Sequence, residues 1–89
     1  MKTAERCVEL LRILCNRRYE TMENLAKELG VSVRTIQRDI DRISTYAPIF
    51  VKSGRYGGGI YIIGQISFEQ ICSLNQHLSL ILKKIKKNK

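Results

Sequence analysis

Two short helical patterns of hydrophobic positions lie side by side in the first half of the chain. They comprise Leu25, Ala26 and Leu29, followed by Ile36, Ile40 and Ile43. Gly30 stands between them, where a helix that ends in a left-handed residue favours glycine. Ser32 is a good N-cap for the helix that follows. The pattern predicts a helix-turn-helix over Thr21–Ile43, and its second helix is the candidate recognition helix.

The flanking residues extend this pattern to three helices. They are predicted at about Thr3–Arg17, capped by Thr3; at about Met22–Leu29, capped by Thr21; and at about Val33–Tyr46, ended by Pro48. Tyr19–Thr21, between the first two helices, is a candidate edge strand.

After Pro48 the hydrophobic period changes from helical to two. Ile49–Lys52 and Ile60–Ile63 are β-branched and aromatic runs of strand length. The glycine-rich loop between them favours a flexible hairpin tip over a phosphate-binding loop, because it lacks GxGxxG and does not open a helix. The predicted fold is mainly α with a small β-hairpin: a winged helix-turn-helix, with a three-helix core plus wing, followed by a C-terminal helix.

The C-terminal helix has a predicted start and a predicted apolar face. Ser67 and Gln70 form a capping-box pattern at its start. The face is an a/d seam of two heptads, formed by Ile71, Leu74, Leu78, Ile81 and Ile85. We expect a winged helix-turn-helix domain at 1–66 and, at 67–89, an amphipathic helix with a lysine-rich tail. The seam pairs with a second copy in a homodimer, or folds back onto helix 1.

The charge of the chain is strongly basic and indicates the partner. The formal net charge is +8 with a sequence pI near 9.8, and half of the excess lies in residues 67–89. Such a charge favours nucleic acid or an anionic membrane. The outward side chains of helix 3 and the wing are the candidate DNA contacts: Ser32, Arg34, Thr35, Gln37, Arg38, Arg42, Lys52, Arg55 and Tyr56. The lysine tail follows DNA phosphates, complements the dipole at the C-terminal end of the last helix, or only solubilises the chain.

Several other functions have little support in the sequence. The three cysteines form no CxxC and there is one histidine, so we expect no metal, no cofactor and no enzyme activity. RNA binding is disfavoured because no aromatic stacking platform is evident. Asp39 is more easily explained as the partner of a helix 1 or helix 2 cation than as a catalytic acid. Without a signal peptide or a spanning segment, the expected location is the bacterial cytoplasm, at the nucleoid.

Residues 4–63 resemble the winged helix of DeoR-type regulators, especially those that carry a WYL ligand-binding domain. The matching segments are Arg6, Leu10 and Leu14, then LAKELGVSVRTIQRDIDRI, and then the wing GRYGGGIYI. The resemblance implies sequence-specific DNA binding and transcriptional regulation. It also implies major-groove contacts from the positions of Ser32, Arg34, Thr35 and Arg38, and backbone or minor-groove contacts from Arg55 and Tyr56.

Regulators of that group usually continue beyond the helix that matches Ser67–Leu82 into an effector domain. Two alternatives therefore stay open, a stand-alone small regulator and a DNA-binding fragment of a larger effector-sensing protein. The functional expectation is a dimeric regulator, most simply a repressor, that binds two half-sites about 34–36 Å apart. The rival is a winged helix that uses the same basic face to bind an acidic protein.

Overall fold

The computed structural model describes residues 2–54, 58–64 and 67–74, with only the backbone given for Ser73 and Leu74. Its elements are α1 (Thr3–Arg17), β1 (Tyr19–Thr21), α2 (Met22–Leu29), α3 (Val33–Ile43), β2 (Ile49–Lys52), β3 (Gly59–Ile62) and α4 (Phe68–Leu74). The strands form one antiparallel sheet in the order β1-β3-β2. This mostly helical chain with a small three-stranded sheet confirms the predicted winged helix-turn-helix.

The helix-turn-helix is set by three local caps, all of which confirm the sequence prediction. At the start of α2, the Thr21 hydroxyl accepts a hydrogen bond from the Asn24 N–H at 3.1 Å. At its end, Gly30 has a φ of 67° and donates its N–H to the last turn. The Ser32 hydroxyl then accepts the Thr35 N–H at 3.1 Å and starts α3. Local polar chemistry therefore fixes where the turn lies.

The predicted bounds of α1 are confirmed, but its predicted N-cap and the predicted end of α3 were wrong. Thr3 is the first helical residue of α1, and Lys2 takes the N-cap position without a side-chain bond. α3 ends at Ile43 rather than Tyr46, because the chain tightens there: the Tyr46 N–H bonds to the Ile43 carbonyl at 2.9 Å. Ser and Thr hydroxyls that bond to nearby carbonyls compete with regular helix, and the Ser44 and Thr45 hydroxyls do so at 2.8 Å.

The core lies where α1, α3 and one face of the sheet meet. The predicted stripe of α3, Ile36, Ile40 and Ile43, is buried there together with leucines of α1. Ile60 and Ile62 close the core from β3. Burying a side chain of this size stabilises the fold by about 1.5–3 kcal/mol, so this cluster is the main source of stability.

The opposite face of the sheet carries a row of three aromatic rings. Tyr19 and Phe50 both pair with Tyr61, one from each side of the central strand. The ring centroids of Tyr19 and Tyr61 are 4.5 Å apart, and those of Phe50 and Tyr61 are 6.2 Å apart. Tyr19 and Phe50 stay 42% and 52% exposed. The sequence had suggested no aromatic platform, and this row corrects that premise.

α4 packs against α1 through its first turns. The capping box forms as predicted, with the Ser67 N–H donating to the Gln70 side chain at 2.7 Å and the Gln70 N–H donating to the Ser67 hydroxyl at 3.2 Å. Ile71 is only 1% exposed and belongs to the main core. The Arg12 guanidinium of α1 lies 5.1 Å from the centroid of the Phe68 ring. The first residue of the predicted seam is thus buried within the protomer.

Candidate nucleic-acid interface

The exposed face of α3 is the candidate recognition surface. Because Ile36, Ile40 and Ile43 turn one side of the helix into the core, residues at offsets of three and four lie together on the opposite side. These residues are Arg34, Arg38 and Asp41, and all three are exposed. Within the described ranges neither arginine forms an ion pair, so both guanidinium groups can reach an external anion or base edge.

The start of α3 adds polar groups next to this face. The Ser32 and Thr35 hydroxyls lie 3.0 Å apart and bond to each other, while Ser32 also caps the helix. The first N–H groups of a helix attract anions such as phosphate. The hydrogen bonds of Ser32 and Thr35 therefore stabilise the start of α3. Both hydroxyls can still donate or accept further hydrogen bonds at the surface.

A groove separates α3 from the base of the wing. It measures about 420 Å³ and is lined by Met22, Gln37, Ile40, Asp41, Val51, Ser53 and Gly54. Gln37 faces the wing across this groove and is exposed. Gln37, a predicted DNA contact, thus lies on the part of the recognition helix that lines the groove next to the hairpin.

Arg42, unlike Arg34 and Arg38, forms an ion pair within the protein. Its Nη1 donates to the Asp39 carboxylate at 2.8 Å, although the Arg42 side chain stays 53% exposed. Asp39 is fully buried and also accepts two hydrogen bonds from Arg6 of α1, through Nε and, at 3.1 Å, through Nη2. The prediction that Asp39 pairs with a cation of helix 1 or helix 2 is confirmed.

The Arg6–Asp39–Arg42 cluster links the recognition helix to α1. The hydrogen bond to Asp39 raises the pKa of Arg6, so the charge of Arg6 is secure. Beside it, burial raises the pKa of the Cys7 thiol to about 11, with a further contribution from the Asp39 charge. Cys7, Cys15 and Cys72 are free thiols, and no group of metal-ligating residues forms in the described ranges.

The wing places Lys52 at the exposed end of β2, opposite Gly59 in the sheet register. Gly58 has a φ of 83°, and a Cβ there would lie 2.1 Å from the Lys52 carbonyl oxygen. A Cβ on Gly59 would lie 2.4 Å from the Tyr19 ring. Gly58 is therefore required both by its positive φ and by the approach of the Lys52 backbone, whereas at Gly59 an added Cβ would meet only the Tyr19 side chain. Arg55 and Tyr56 lie outside the described residues.

The predicted seam is only partly described. Ile71 packs on α1, Leu74 has only its backbone described, and Leu78, Ile81 and Ile85 lie outside the described residues. Two features of the surface were not predicted from the sequence pattern. The aromatic row depends on strand register and gave no signal there, whereas the place of Asp41 beside the exposed arginines could have been derived from the helical spacing.

A helix-turn-helix with an exposed arginine face and a strand-built wing defines a winged-helix, nucleic-acid-binding class of protein. Residues 8–60, more than half of the chain, match the family described as an HTH domain, and the chain belongs to that family. Membership supports DNA binding and a part in transcription regulation, and such families are typically non-enzymatic. No solved structure was found to match the chain. Among the described residues, no helix is long and apolar enough to cross a membrane.

Proposed function

We propose that this protein is a sequence-specific, duplex-DNA-binding transcriptional regulator of the DeoR type that acts as a homodimer in the bacterial cytoplasm, at the nucleoid. The observation that carries the proposal is the exposed arginine face of α3. Arg34 and Arg38 point away from the core on a helix that the buried Asp39 ties to α1. A helix that is tied to α1 and carries two guanidinium forks without an ion pair in the described part of the chain is suited to reading base edges in a major groove.

The proposed contacts divide into two kinds. Arg34, Arg38 and Gln37 read bases, because arginine suits the O6 and N7 of guanine and glutamine suits adenine. Lys52 and, in the wing tip, Arg55 and Tyr56 hold the backbone, which positions the protein without reading sequence. Arg42 contributes a phosphate contact only through the part of its guanidinium that Asp39 leaves exposed.

The proposed dimer uses the helix that starts with α4. Ile71 anchors this helix to α1, and the apolar positions that follow it in the sequence, Leu74, Leu78, Ile81 and Ile85, supply the seam with a second copy. Two recognition helices about 34–36 Å apart then read an inverted repeat. Repression by occupying an operator is the simplest output of such a dimer.

A selection of bound sequences from a random duplex pool, followed by salt titration, tests the proposal. We expect an enriched inverted repeat. If a dimer neutralises about 4–8 phosphates, log affinity should fall against log salt with a slope of roughly −4 to −7. An absence of duplex binding at low salt would refute DNA binding and favour the acidic-protein rival. Binding without enrichment of any sequence would refute the specific-regulator proposal.

A further inference from the structure

Asp41 occupies a place where a carboxylate is unfavourable for two reasons. It lies in the last turn of α3, at the negative end of the helix dipole, which disfavours an acid. It shares the exposed face with Arg34 and Arg38, where DNA phosphates would repel it. No ion pair compensates its charge within the residues that the structure describes. Residues that break local rules in this way tend to mark functional positions.

The surroundings of Asp41 place it beside the groove of the candidate interface. Asp41 lines the groove between α3 and the base of the wing, together with Gln37, Ser53 and Gly54. None of these groove residues carries a positive charge; Arg38, three residues earlier on the same face, carries one, but no ion pair joins it to Asp41 within the described residues. Asp39, the other carboxylate of α3, is fully buried and bound by two arginines, so the two acids have separate roles.

We infer that Asp41 is a specificity-determining residue that accepts a hydrogen bond from the exocyclic amine of a cytosine or adenine in the major groove. The inference rests on the proposed function. An ionised carboxylate only accepts hydrogen bonds, and the edges of guanine and thymine present acceptors in that groove. Asp41 is therefore matched to the N4 amine of cytosine or the N6 amine of adenine, and repelled by the other two bases.

The same charge weakens binding to every wrong sequence. On a non-matching duplex the carboxylate meets acceptors and phosphates without a compensating donor. Specificity is a difference of affinities, and a repulsive group can supply much of it. Asp41 thus lowers the affinity for random DNA while it preserves the affinity for one base pair at its position.

Asp41→Asn tests this with little change of shape. The amide both donates and accepts, so it tolerates all four base pairs. We expect the preference at one position of each half-site, about 5- to 150-fold in the wild type, to fall to about threefold or less. We also expect affinity for random duplex to rise about threefold, because one repulsive charge is gone. Anisotropy titrations on the selected operator, on single-position variants and on random duplex measure both effects.

Glu69→Gln is the matched control, since it removes an exposed acid from α4, which packs on α1. It should leave both quantities unchanged. Thermal unfolding should show Asp41→Asn as stable as the wild type or slightly more so, since an acid leaves the C-terminal turn. Asp41→Glu keeps the charge but displaces it, and should weaken operator binding without raising affinity for random duplex.

The outcomes separate the inference from the proposed function. If the wild type selects an operator and Asp41→Asn keeps every base preference, the inference is overturned and the proposed function stands. If the wild type selects no sequence, both fail. A preference that is lost at a C·G pair identifies cytosine as the base contacted, and one that is lost at an A·T pair identifies adenine.

Discussion

The charged side chains of α3 fall into two groups, one that pairs within the protein and one that is exposed for recognition. Asp39 and Arg42 face inward or sideways and belong to the cluster with Arg6, whereas Arg34 and Arg38 face outward. Removing a member of the first group should therefore change stability, and removing a member of the second should change binding. Two predictions at this scale follow that division.

Arg38→Ala should cost about 1–3 kcal/mol of binding free energy on the selected operator and relax the preference at one base position. Lys52→Ala is the comparison, because a backbone contact should weaken all duplexes about equally. Titrations of both variants on operator and random duplex measure the difference. Equal losses on both duplexes for Arg38→Ala would contradict base reading by this residue.

Asp39→Ala should lower the free energy of unfolding by about 3–5 kcal/mol, because it leaves the partly buried Arg6 without its partner. Glu28→Ala removes one partner of an exposed pair, whose side chains are 40% and 43% accessible, and should cost less than about 1 kcal/mol. Urea unfolding followed by circular dichroism measures both. Similar costs for the two variants would show that the buried cluster adds little to stability.

At the scale of elements, the wing is held by a close backbone approach that the helix-turn-helix does not have. Gly30 and Gly58 both have positive φ, at 67° and 83°. A Cβ at Gly30 would meet nothing within 4 Å, whereas one at Gly58 would press on the Lys52 carbonyl oxygen. Both positions therefore require a residue that adopts a positive φ, but only Gly58 also lacks space for a Cβ.

Gly30→Ala should cost about 1–2 kcal/mol, which is the strain of a left-handed alanine. Gly58→Ala should cost more, because the backbone of the wing must also move away. Urea midpoints of the two variants provide the comparison. An equal or smaller loss for Gly58→Ala would mean that the hairpin rearranges freely around the new methyl group.

Elements set by nearby residues were predicted from the sequence, whereas of the long-range partners only the pairing of Asp39 with a cation of another helix was foreseen. The caps at Thr21, Gly30 and Ser32 depend on groups within a few residues, and each formed as expected. The aromatic row was not foreseen, because its rings come from three separate strands and meet only through strand register.

The same distinction between local and long-range contacts applies to the candidate site. The spacing of hydrophobic residues predicted which side of α3 faces outward. It could not show that Asp39 is bound by Arg6, because these two residues are 33 positions apart in the sequence and meet only in the folded chain. The Arg42–Asp39 pair, in contrast, has the i,i+3 spacing of helical neighbours. The end of α3 was placed three residues too late because the hydroxyls of Ser44 and Thr45 outweigh the helical pattern.

At the scale of the whole molecule, α1 connects the separate parts. It packs on α3, on the sheet and on α4, so the recognition helix and the C-terminal helix share one support. The burial of Ile71 on α1 joins the first turns of α4 to the core. The oligomeric state then depends on whether the apolar positions beyond it meet a second copy.

Sedimentation equilibrium at tens of micromolar should give a dimer mass. Leu78→Asp should give a folded monomer that binds a two-half-site operator far more weakly, because the second half-site is no longer tethered to the first. Ser79→Asp, on the other side of the predicted stripe, should stay dimeric. A wild-type monomer at this concentration would refute the proposed dimer and favour a seam folded back onto α1.

The row of rings on the sheet also makes tyrosine spectroscopy a probe of whether the sheet is formed. The chain has four tyrosines and no tryptophan, so its near-ultraviolet signal comes chiefly from tyrosine. Tyr19 and Tyr61 sit 4.5 Å apart only while β1 is paired with β3. Their coupled absorption therefore follows the closing of the sheet, while the far-ultraviolet signal follows the helices. Near- and far-ultraviolet spectra can thus follow the sheet and the helices separately, without a label.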